Sequence, residues 1–205
     1  MRTKNINTSS HWDTKWGQEG KNTWRQYPNI NKQELKWIED NKRLADLGCG
    51  NGFFLNLVQQ DKENMKLIGL DISSVGIKQL KEFYNINGVV SILPKIPLEP
   101  ESFDYVIMNE LIEHVVEEDE LLKNAFKICK TGGWVFVSTP SDHSPKYKDF
   151  IKNQDSEHVR WYDKERLEKS LMLYGKKPEI IIIKEDFTRN GIHSRGEYYL
   201  ARSQK

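Results

Sequence analysis

Cysteine, long apolar runs and an excess of charge of either sign are all scarce in this chain. Its 205 residues hold two cysteines, Cys49 and Cys129, which do not suggest a disulfide framework. No apolar stretch approaches the roughly 20 residues that span a bilayer, so no membrane span is expected. The polar N-terminus lacks the apolar centre of a signal peptide, and the two absences together predict a cytoplasmic location. Basic and acidic side chains number 31 and 30, for a formal charge of +1. That balance removes any global electrostatic case for nucleic-acid binding and leaves only a local patch open. Repeats and low-complexity tracts are missing as well, and nothing in the sequence sets an oligomeric state.

What the chain does contain is alternation. From residue 43 onward, strand-length apolar runs alternate with segments of helical period, which predicts an α/β fold with a doubly wound, Rossmann-like sheet, mostly parallel and covered on both faces. Strands are expected at 43–47, 66–70, 89–93, 105–108, 134–138, 179–183 and 197–201. Helices are expected at 52–60, from a Ser73 or Ser74 cap to 84, over 118–130 closed by Gly132 and Gly133, and from an Asp163 cap to 174. The last two strands have no crossover helix between them, so they should form an antiparallel hairpin at the sheet edge. The length suits a single domain, 42–205. Residues 1–41 form an N-terminal helical extension whose Trp12, Trp16, Trp24, Tyr27 and Trp37 either anchor it or make a lid. Residues 141–158 are a long polar connection of the kind that carries function or moves.

Within this rhythm the segment 44–53 stands out, because an apolar strand ending at Asp46 runs into Gly48, Gly50 and Gly52 and then a helix. Glycine lets the main chain turn sharply and lie close to a ligand. A dinucleotide fingerprint needs its third glycine at position 53, which is Phe53 here. A triphosphate cradle needs Lys-Ser or Lys-Thr after the loop, and neither follows. The loop therefore suits a nucleoside without phosphates. Cys49 reads as a small loop residue rather than a reactive thiol. In an open parallel sheet, ligands sit beyond the C-terminal strand ends where the strand order reverses. Asp71, at the end of the second strand, falls there and could accept both hydroxyls of a ribose.

Residues 45–52, then 70–73, 102–107, 110–115 and 122–133, in that order, resemble the class I S-adenosylmethionine-dependent methyltransferases over about residues 40–140. The resemblance implies S-adenosyl-L-methionine as cofactor. The main chain around Gly48, Cys49 and Gly50 would hold its methionine part, with Asp46 orienting the loop. Asp71 would bind the ribose and Ile72 would lie against adenine. Many relatives place an acid after the third strand to contact the adenine amino group; here that position falls on Ile92 or Leu93, so adenine would be held by packing and main chain. Asn109 ends the fourth strand next to the methyl group, and its neighbours lack the Pro-Pro-aromatic run of amino-group methylating DNA and protein enzymes.

The segments 110–115 and 158–167 are similar to small-molecule O-methyltransferases such as those of quinone biosynthesis. They imply methyl transfer to an oxygen, less readily a nitrogen, of a small-molecule acceptor. His114 or His158 could be a general base for a hydroxyl, since imidazole titrates near operating pH. Equally, Glu113 and His114 could merely finish a helical turn. A metal-assisted RNA 2′-O-methyltransferase, with Glu110, Glu113, His114 and His158 around a divalent ion, is an alternative. It would be favoured by a basic surface from Lys146, Lys148, Lys152 and Arg160, although Val115 stands where those relatives continue with another histidine, and no metal is the expectation. A noncatalytic cofactor-binding module is a third reading.

Overall fold

The computed structural model describes residues 6–20, 27–144, 147, 152, 157–189 and 192–205. Trp24 of the expected extension, and Lys146 and Lys148 of the expected basic surface, lie outside them. Two helices, α1 (Ser9–Glu19) and α2 (Pro28–Trp37), precede the sheet. There follow β1 (Arg43–Leu47), α3 (Phe53–Asp61), β2 (Lys66–Asp71), α4 (Ser74–Tyr84), β3 (Asn87–Val90) and β4 (Phe103–Asn109). The chain closes with α5 (Glu118–Ile128), β5 (Cys129–Pro140), α6 (Lys164–Met172), β6 (Glu179–Arg189) and β7 (Ile192–Gln204). None of the described helices is long and apolar enough to cross a membrane.

The seven strands lie in the order β3-β2-β1-β4-β5-β7-β6. β1 to β5 are parallel, and β7 runs antiparallel to both β5 and β6. The expected hairpin is thus present, with its second strand inserted between the first and the rest of the sheet. Period-two alternation sorts each strand between two cores. Tyr105, Ile107 and Phe136 face α3 and α4, while Val106, Met108, Val135 and Val137 face α5 and α6. Apolar residues at helical spacing on α5 (Leu121, Leu122, Ala125, Phe126, Ile128) are all buried, each large one contributing about 1.5–3 kcal/mol.

Several boundaries differ from the sequence expectation. β3 stops at Val90 because it is an edge strand whose only ladder, to β2, ends at the pair Asp71–Val90. Ile92 and Leu93 therefore sit in the following loop. The fifth helix ends at Ile128, and β5 already begins at Cys129, which pairs with Phe103 of β4. Gly132 and Gly133 lie within that strand, Gly132 at φ +81°, rather than closing a helix. β6 and β7 extend far past the expected apolar runs because they zip together over eleven pairs, from Glu179–Arg202 to Arg189–Ile192.

α2 is set in place from its N-terminus. Pro28 occupies the first turn, where its missing N–H costs nothing, and the main-chain N–H groups of Asn29 and Ile30 both donate to Glu185 Oε1 of β6, at 2.8 and 2.7 Å. Ile30 then packs against Tyr198 and Leu200 of β7. α1 is tied differently: Asp13 Oδ1 accepts from Ser73 Oγ at 2.6 Å and from Val75 N at 3.1 Å, at the N-terminus of α4.

Candidate active site

The strand order reverses between β1 and β4, and a cavity of about 370 Å³ opens beyond their C-terminal ends. Asp46 and Gly48 (β1 and its loop), Asp71 (β2) and Asn109 (β4) all line it. Gly48, Gly50 and Gly52 have φ values of +76°, +55° and +82°, in the left-handed region that disfavours side chains. Asp71 braces this loop. Its Oδ2 accepts from Gly50 N and its Oδ1 from Ser73 N, both at 2.8 Å. Each carboxylate oxygen keeps a second lone pair for a ligand hydroxyl. Burial pushes its carboxyl up to about 6, the two N–H donors opposing. Asp46 is buried beside it and is raised well above the usual carboxylate range by desolvation and then by the charge of Asp71.

Gly50 and Cys49 stand differently toward the cavity. Gly50 is not part of the cavity lining: its N–H is spent on Asp71, and a Cβ there would collide with the Trp16 indole of α1. Cys49 does line the cavity, but burial and the neighbouring carboxylates push its thiol well up, which suits an inert packing residue. Ile72, Ile92 and Leu93 line the far side. Ile92, in the loop after β3, is an apolar side chain left 66% exposed.

At the end of β4, Asn109 Nδ2 donates to Glu34 Oε2 of α2 at 2.9 Å. Glu110, the next residue, has φ +51°, a left-handed conformation that turns the chain away from the sheet. The turn is held by Glu110 N donating to Ser138 O at 3.0 Å and by Ser138 Oγ donating to Glu110 Oε1 at 3.2 Å. Glu110 is therefore set apart from the cluster that follows it.

Glu113, His114 and His158 come together although 43 residues separate Glu157 from His114. Their candidate ligand atoms lie within 4.8 Å of one another. The His114 and His158 rings meet edge to face at 4.9 Å, and Trp12 of α1 stands edge-on to His114 at 5.4 Å. His114 Nδ1 lies 2.9 Å from Glu157 O. A carbonyl only accepts, so Nδ1 carries the proton and Nε2 the lone pair. Glu113 Oε2 accepts from Thr139 Oγ1 at 3.0 Å, and burial raises its carboxyl while His158 opposes the rise. His114 lines the cavity; His158 stands behind it. Arg160 does not extend a basic surface, because its guanidinium donates to the carbonyls of Ile112, Val115 and Val116 and pairs with Glu118 at 3.2 Å.

The sequence left Trp12, Trp16 and Tyr27 open between anchor and lid and gave no sign of Asn7 or Asn31; all five line the cavity. Trp12 and Trp16, four residues apart, share one face of α1, and that spacing was the available clue. Among the described lining residues there are four acids (Asp46, Asp71, Glu110, Glu117) and neither lysine nor arginine.

Comparison with known proteins gives this geometry a family. The profile of a family described as Methyltransferase domain matches residues 22–176. A ubiquinone biosynthesis O-methyltransferase of Paraburkholderia phymatum is 30% identical over 129 residues, covering 58% of this chain and 55% of that protein. One from Pseudomonas fluorescens is 28% identical over the same length and coverage. The chain thus spans about half the length of these curated relatives. A putative methyltransferase of Bacillus halodurans has the same fold at TM-score 0.69 and 15% identity, covering 86% of this chain and 98% of that one. An S-adenosylmethionine-dependent protein of Thermotoga maritima, described as a possible histamine N-methyltransferase, superposes at 0.68 and 21% identity, over 89% and 90%. With the glycine loop, the reversed strand order and the family profile in agreement, the chain belongs to the class I S-adenosylmethionine-dependent methyltransferases.

Proposed function

We propose that this protein methylates a hydroxyl oxygen of a small-molecule acceptor, with His114 as the general base. The residues around the cavity fit S-adenosylmethionine: Asp71 has a lone pair on each oxygen for a ribose hydroxyl, Ile72 and Ile92 offer apolar contact for a base, and the loop at Gly48 turns its backbone to the cavity. Bound there, the cofactor supplies a sulfonium methyl already activated for in-line displacement. The chain's own task is then to orient the acceptor and take its proton, and positioning provides much of the rate.

The observation that carries the oxygen reading is the 2.9 Å contact between His114 Nδ1 and Glu157 O. With Nδ1–H held by Glu157 O, Nε2 is left as the basic atom at the cavity wall. The buried Glu113 carboxyl stands beside this atom, its Oε1 at 3.9 Å from Nε2. A second reading draws on the same cluster, whose two imidazoles and one carboxylate are a donor set for a divalent ion that would lower the acceptor's own pKa. An RNA acceptor is disfavoured by the acidic lining and by the engagement of Arg160.

The test is transfer of a labelled methyl group to a set of phenols, catechols and aliphatic alcohols, with matched amines as controls. His114→Ala should lower kcat by about 10²–10⁴ while cofactor affinity stays within about twofold. Activity that survives chelation supports the base; activity abolished by chelation and restored by a divalent ion assigns the cluster to metal. Turnover of amines alone, or a His114→Ala enzyme as fast as wild type, would reject the reading.

A further inference from the structure

Glu34 is a fully buried acid that the proposed reaction does not use. It lies in the second turn of α2, one turn after the cavity-lining Asn31, and is 0% exposed. Its Oε2 accepts from Asn109 Nδ2 at 2.9 Å, yet Glu34 Oε1 and Asn109 Oδ1 are both buried oxygens with no hydrogen-bond partner. Two orphaned acceptors on one pair of neighbouring planar groups call for a single missing proton between them.

We propose that Glu34 is a positioning residue: its neutral carboxyl closes a two-bond acid–amide pair with Asn109, Oε1–H donating to Oδ1 while Nδ2–H donates to Oε2. One proton then satisfies every buried polar atom of both side chains but one N–H. An ionised Glu34 would instead be a buried charge with a single hydrogen bond, and both orphaned acceptors would stay unsatisfied, which low-dielectric surroundings penalise. The electrostatics agree, since desolvation raises this carboxyl well above the usual range and Asp46 on β1, itself bearing the influence of Asp71 on β2, raises it further; only the Asn109 amide opposes.

The consequence reaches the cavity through Asn109. With Oδ1 and one N–H committed to Glu34, the amide is locked in one flip state and has a single N–H left to offer. Because Oδ1 is itself buried, Asn109 meets a ligand in the cavity that it lines through its remaining N–H, and the ligand atom it meets is an acceptor. Glu34 also joins α2 to the end of β4, the strand that ends at the transfer site. This last step rests on the proposed methyl-transfer site; the pair itself does not.

Carboxyl-¹³C NMR of protein labelled at glutamate tests the pair directly, with Glu34→Gln to assign the resonance. At pH 7 one glutamate signal should sit at the protonated position, stay there between pH 5 and 8, and vanish in Glu34→Gln. All glutamates at the ionised position at pH 7 would overturn the pair. Calorimetry with S-adenosylhomocysteine tests the positioning. Glu34→Gln, whose amide can repeat both bonds, should bind within about threefold of wild type, and Glu34→Leu, which can make neither, should bind at least about tenfold more weakly. Equal affinity in Glu34→Leu would remove the positioning role even if the NMR signal is found. Failure of oxygen methylation leaves the NMR result untouched, so the two ideas fall separately.

Discussion

Asp71 combines opposing demands in one side chain: it braces the glycine loop through Gly50 N and Ser73 N while burial makes its charge costly. Its carboxyl moves from an ordinary 3.8 to about 6 in the folded chain. A group raised in this way contributes its full stability below the unfolded value and loses it as pH rises through the folded one. The unfolding free energy should therefore fall between about pH 4 and pH 6–7, by an amount on the order of 3 kcal/mol from this residue. Urea unfolding across that range should show the slope in wild type and a flatter profile in Asp71→Asn; parallel profiles would mean that the folded carboxyl titrates normally. The residue was readable from sequence, because an acid at the C-terminal end of the second strand has few other reasons to be there. Glu34 was not. A glutamate in a polar helical segment reads as solvated, and only the tertiary docking of α2 on β6 and β7 buries it.

Among the elements, the central strands were legible because both faces are buried and the period-two pattern of residues 103–109 and 134–138 has no competing reading. Edges and junctions were less so. Residues 129–133 look like the end of a helix, two glycines included, but pairing of Cys129 with Phe103 wins over that local signal. The N-terminal helices declared their aromatics and concealed their polar attachments. Asp13 is the clearest case: it serves as a cap from outside for α4, and the Ser73 hydroxyl holds its carboxyl below the usual range. Ser73 in turn donates its main-chain N–H to Asp71, so α1 is coupled to the cofactor side of the cavity. Asp13→Ala should lower the unfolding free energy by about 1 kcal/mol, the usual worth of a cap, with helix content unchanged by circular dichroism. A change indistinguishable from zero would leave α1 held by the packing of Trp16 and its other contacts.

At the scale of the whole molecule, the sheet carries α5 and α6 on one face and α2, α3 and α4 on the other and reverses its order once, and this reversal puts the loop after β1 beside the end of β4. The order of motifs made that much readable from the sequence. The other wall of the cavity was not, since it draws on Trp12 and Trp16 of α1 and Asn31 of α2, which carry no pattern that points to a partner. One titration decides most directly whether the cavity is a methyl-donor site: S-adenosylmethionine into the wild-type protein and into Asp71→Ala, followed by calorimetry. The account predicts one-to-one binding in wild type and an affinity at least about tenfold lower in the variant, a loss of at least about 1.4 kcal/mol. Absence of binding by wild type, or equal affinity in the two proteins, would contradict it.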